Sequence, residues 1–117
     1  MTENKQNGHI LISDDVLSKI TGLAALNTPG ISTIYRGISK EANKRLNRKS
    51  IKKGISVTVS PDETIIDLKV VVEYGCSIHE VTRELQQNIM EDLINMAGLS
   101  TIVVNVKVEG VAIQNSR

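Results

Sequence analysis

The chain has 117 residues, 40% hydrophobic and 23% charged, with a formal net charge of +1, which suits one soluble domain built around one core. No apolar run approaches the roughly 20 residues that a transmembrane helix needs, and the opening MTENKQNGHI has neither the basic stretch nor the apolar core of a secretory signal, so a cytosolic protein is expected. A single cysteine, Cys76, excludes an internal disulfide, and Tyr35 and Tyr74 with no Phe or Trp weigh against a module that reads single strands by stacking bases on rings.

Residues 1–7 are polar and read as a disordered tail, and Gly8 to Ile12 as a short edge strand. Ser13 has the position of a helix cap, with Asp14 and Asp15 placing negative charge at the positive end of the helix dipole. Val16, Ile20, Leu23 and Ala24 recur at helical spacing, which predicts a helix from about Asp14 to Leu26, closed by Asn27, Thr28, Pro29 and Gly30. Ile31 to Tyr35 follows as a short strand or extended link.

The composition then changes. Arg36, Lys40, Lys44, Arg45, Arg48, Lys49, Lys52 and Lys53 stand against the single acid Glu41, a net of +7 that leaves the rest of the chain near −6. Ser39 fits the cap of a short helix with Ile38, Ala42 and Leu46 along one side.

Period-two alternation returns in Ile55, Val57 and Val59 and again in Ile66, Leu68, Val70 and Val72, with Ser60-Pro61-Asp62-Glu63 between them as a turn; this predicts an antiparallel hairpin. A long helix follows Gly75, carried by Ile78, Val81, Leu85, Ile89, Leu93 and Met96. Ser77 and Glu80 have capping-box spacing at its start, and Gly98 stops it. Ile102, Val104, Val106 and Val108 form one face of a last strand. Strand, helix and strand imply a crossover between parallel neighbours. The expected fold is α+β, a two-layer sandwich of two main helices on a mixed sheet, as one domain over residues 8–112 with a tail at 113–117.

Cys76 and His79 invite a nucleophilic reading, because a helix start lowers a thiol pKa and a histidine can serve as base. No signature for an oxyanion hole or an orienting third group accompanies them, so a small residue filling a strand-to-helix turn is the preferred reading. With His9 they offer at most three metal ligands, one short of a structural zinc site. Asp14 with Asp15, and Glu91 with Asp92, are neighbours on helices and do not converge. No catalytic residue, metal, cofactor or small-molecule substrate is predicted. The eight cations of 36–53 are the candidate interaction surface, suited to nucleic acid, anionic lipid or an acidic protein, with a merely solvated run as the alternative.

GHILISDDVLSKITGLAALNTPGI, GISVTV, IIDLKVVVEYG, IHEVTRELQQNIMEDLINMAGL and VVNVKVEGV resemble, in order and spacing, the alkaline shock protein family of Gram-positive envelope stress proteins, across about Gly8 to Val111. The resemblance implies a cytosolic, non-enzymatic protein of envelope homeostasis, an adaptor or scaffold that binds itself or a membrane-anchored partner. It supplies no catalytic residues to carry over, and Cys76 and His79 stand where the family more often has apolar or small residues. A nucleic-acid-binding protein using residues 36–53 is the alternative.

Overall fold

A computed structural model of the chain describes residues 3–4, 8–35 and 54–113. Glu3–Asn4 (β1) and Gly8–His9 (β2) pair antiparallel with each other. The stretch Gly8 to Ile12 thus forms only a two-residue strand, paired back on the chain's own start instead of on the main sheet, and Ile10 and Leu11 beyond it are exposed.

Helix α1 spans Asp14–Leu26, and the Ser13 hydroxyl accepts the Val16 amide at 3.2 Å as the cap pattern requires. Its buried face is Leu17, Ile20, Thr21, Ala24 and Ala25. Of the four residues whose spacing marks the helix, Ile20 and Ala24 are buried, while Val16 and Leu23 face solvent. At its end the Thr28 hydroxyl donates to the Ala24 carbonyl and accepts from Asn88, tying α1 to the second helix.

Strands Ile31–Ile34 (β3), Ile55–Val59 (β4), Thr64–Glu73 (β5) and Ile102–Ala112 (β6) make the main sheet. β5 is central. β6 runs parallel along one side of it, while β3 and β4 share the other side end to end, both antiparallel. The predicted hairpin is β4 and β5, and the Ser60 side chain closes its loop by accepting the Glu63 amide at 3.3 Å while donating to the Glu63 carbonyl at 2.8 Å.

The meeting point of β3 and β4 positions everything that follows. Lys69 on β5 makes one residue's worth of antiparallel ladder with two residues: its carbonyl accepts the Tyr35 amide at 2.8 Å, and its amide donates to the Gly54 carbonyl at 3.0 Å. Side-chain alternation also runs across the join, with Ile34 buried, Tyr35 exposed and Ile55 buried. β3 and β4 are therefore two halves of one edge strand, into which residues 36–53 are spliced at a single ladder position. Gly54 is required there, because a Cβ at this position would lie against the Tyr35 carbonyl oxygen and the Ile34 side chain.

Helix α2 spans Ile78–Ala97 and returns the chain from β5 to β6. Ser77 Oγ accepts the Glu80 amide at 3.4 Å, one half of the capping box, and left-handed Gly98 (φ 72°) ends the helix by donating to the Ile94 carbonyl. α1 packs over β3 and β4, and α2 over β6, with the two helices side by side on one face of the sheet. The fully buried middle is Ile66, Leu68, Val70 and Val72 of β5 beneath Leu85, Ile89 and Leu93 of α2. This is the α+β sandwich expected from the pattern, with a mixed sheet.

Among the described residues one buried side chain is left without a partner. Thr21 is fully buried and its hydroxyl makes no hydrogen bond. An orphaned buried hydroxyl costs about 1–3 kcal/mol, so Thr21→Val, which keeps the shape and removes the polar atom, is expected to stabilise the fold by about 1 kcal/mol. A thermal midpoint that rises by a few degrees is the expected readout; a fall would mean that the hydroxyl has a partner in solution.

Candidate interaction surface

All eight cations named above, Arg36 through Lys53, and the helix expected after Ser39 lie outside the described residues. The structure does define their root. The basic segment leaves at Tyr35 and returns at Gly54, held together across Lys69, on the side of the sheet that α1 covers.

The Cys76 and His79 pair does not assemble a nucleophilic site. Cys76 is half-buried and packs against the core. His79 is on the exposed surface of α2, where its Nε2 lies 2.8 Å from the guanidinium of Arg83, one turn along the same helix. A base for Cys76 would need the imidazole turned toward the sulfur, and that hydrogen bond turns it along the helix instead. Among the described residues no three of His, Cys, Asp and Glu converge to hold a metal ion, and no helix is long and apolar enough to cross a membrane.

The sheet face opposite the helices carries a shallow trough of about 350 Å³ over Gly54, Ser56, Asp67, Lys69, Asn105 and Lys107. Its charges are balanced. Asn105 donates to Asp67 at 2.9 Å, and Lys107 lies 3.4 Å from Glu109. Neither sheet edge presents a clean template for another strand. On β6, the Thr64 amide takes the Thr101 carbonyl, which by strand alternation turns the Val104 carbonyl to the outer side, and there Gln86 of α2 donates to it at 2.8 Å. Further along, the β5–β6 register shifts between Val70 and Val71, opposite Val108 and Gly110. The other edge is broken by the splice at Tyr35 and Gly54 and by an irregularity between Ile31 and Thr33. Bulges and interruptions of this kind blunt edge-to-edge pairing.

The outward faces of the two helices differ. α2 presents Glu80, Glu84, Gln87 and Glu91. α1 presents Val16, Leu23 and Leu26 around Lys19, an exposed apolar stripe. Its signal in the sequence is heptad spacing, with residues 16, 19, 23 and 26 at successive a and d positions.

Comparison with known proteins agrees with this fold. The profile of the alkaline shock protein 23 family, described as having a cell envelope-related function, matches residues 2–113. The protein YqhY of Bacillus subtilis (strain 168) is 29% identical over 109 residues, covering 93% of this chain and 81% of that protein. A stress response regulator gls24 homolog of Streptococcus pyogenes serotype M3 is 30% identical over 102 residues, covering 86% of this chain and 57% of the relative, so the chain spans little more than half of that protein. Among solved structures, a MamM CTD superposes with a TM-score of 0.52 at 10% identity, covering 83% of this chain and all of that one, a likeness of fold alone.

Proposed function

Because the chain belongs to the alkaline shock protein 23 family, whose function is related to the cell envelope, we propose that it works there as a cytosolic, non-enzymatic adaptor that joins a membrane-anchored partner, or further copies of itself, to the envelope stress response. One observation carries the reading. The excess positive charge, a net of +7, is confined to residues 36–53, and that segment is spliced into a strand whose pairing with β5 continues on either side of it. A sheet does not need such a segment to close, and a concentrated charge on it serves association.

The partner is then an acidic protein surface, reached fast and weakened by salt. Changing Lys44, Arg45, Arg48 and Lys49 to Gln should leave the fold intact and release the protein from the envelope fraction, read by cell fractionation with pull-down of membrane proteins. If intact protein and variant both stay out of the envelope fraction and only the intact protein retains nucleic acid, the adaptor reading is wrong and the charge serves phosphate backbones.

A further inference from the structure

We propose that the outward stripe of α1 is a docking seam for an acidic amphipathic helix of a protein partner. The inference deepens the adaptor reading and rests on it for the partner's presence in the cell, but its geometry is separate. Val16, Leu23 and Leu26 are 46%, 55% and 46% exposed, on a helix whose other sides are closed against the sheet and α2. Val16 and Leu23 stand at a positions, Lys19 and Leu26 at d positions, the seam that one helix offers another over three turns.

Lys19 decides the occupant. Two copies of α1 packed antiparallel would set Lys19 against Leu23 of the partner copy, and packed parallel would set Lys19 against Lys19. Either arrangement sets the Lys19 ammonium against an apolar or like-charged side chain of the other copy, which is unfavourable. An anionic bilayer fits poorly as well. The chain has no Phe or Trp to seat in the headgroup region, and Asp14 and Asp15 stand at the start of this helix. A partner helix with Leu or Ile in the a and d layers and a Glu in the layer of Lys19 satisfies every position.

The test is amide NMR of the full chain with a synthetic three-heptad peptide, Leu at a and d, with Glu in one d layer. Shifts confined to residues 14–26 and their immediate neighbours are expected. Leu23→Glu should weaken binding at least about tenfold, as loss of a central apolar anchor does. Lys19→Glu should reject this peptide and accept its charge-swapped version with Lys in that layer. Three outcomes overturn the proposal: shifts on the open sheet face or the β6 edge instead, changes at α1 produced by raising protein concentration alone, or changes at α1 seen with phosphatidylglycerol vesicles and not with the peptide. If the four-Gln variant leaves the envelope fraction while the peptide perturbs nothing, the adaptor reading survives and the α1 seam does not.

Discussion

Excision of residues 36–54, with Tyr35 joined directly to Ile55, is expected to give a folded domain that has lost its envelope association. In the intact chain the Tyr35 amide and the Gly54 carbonyl together complete the ladder opposite Lys69. After excision Tyr35 offers both groups by itself, and the alternation Ile34 inward, Tyr35 outward, Ile55 inward continues unbroken. Closing an 18-residue loop costs about 2.5 kcal/mol of chain entropy, which the excised protein no longer bears. A urea midpoint at or above that of the parent is therefore expected, with the Lys69 amide still protected from exchange. The net charge falls to about −6. An unfolded or aggregated product would show that the segment contributes to the core, and the splice would then be wrong as an account of the sheet.

Gly30→Ala is expected to cost about 3 kcal/mol, the sum of two separable effects. Gly30 has φ 95°, a conformation that disfavours any side chain by about 1–2 kcal/mol, and it places a new Cβ 2.6 Å from Cγ2 of Val81 at the first turn of α2. Gly75 provides the internal control. Its φ of 96° is nearly the same, yet nothing lies within 4 Å of the Cβ it would gain. Gly75→Ala should carry only the backbone share, about 1–2 kcal/mol. Combining Gly30→Ala with Val81→Ala should recover the crowding share as a coupling of about 1 kcal/mol or more in a double-mutant cycle. Equal losses for the two glycines in denaturant melts would show that Val81 yields to the new Cβ at Gly30 without cost.

The strands and helix ends were readable in the sequence because each has a local cause. β5 alternates without error, Ile66, Leu68, Val70 and Val72 all buried, since one face meets helices and the other faces water. Ser13, Ser77 and Gly98 act as their types predict. Burial was harder where apolar residues exceed the area available to cover them. Met96 follows the α2 stripe in spacing but is turned off the buried face that Leu93 and Ala97 hold, while Ile78 at the first position of α2 and Val59 at the last of β4 are partly exposed. On α1 small residues, Ser18, Thr21 and Ala25, occupy the packed side because the helices approach closely there, which leaves the bulky Val16 and Leu23 outside. Size complementarity between two helices is a long-range property that no periodicity reports. The charge of residues 36–53 was plain from composition; that the segment is spliced at one ladder position depends on Lys69, which lies well downstream and whose pairing has no local sign.

The parallel pairing of β5 with β6 also bears on how the chain reaches this state. Thr64 lies beside Ile102, 38 residues on, and the whole of α2 separates them. The β4–β5 hairpin needs only its four-residue loop and can form early, whereas the long side of β5 stays unpaired until β6 has been made and brought back. Non-local pairing of this kind is slow, and an open strand edge is prone to aggregation meanwhile. Ile66, Leu68, Val70 and Val72 are then exposed to other nascent chains for as long as synthesis of α2 and β6 lasts. Destabilising α2 should thus lower the yield of soluble protein more than its effect on the finished fold would suggest, because the vulnerable interval comes before β6 is in place.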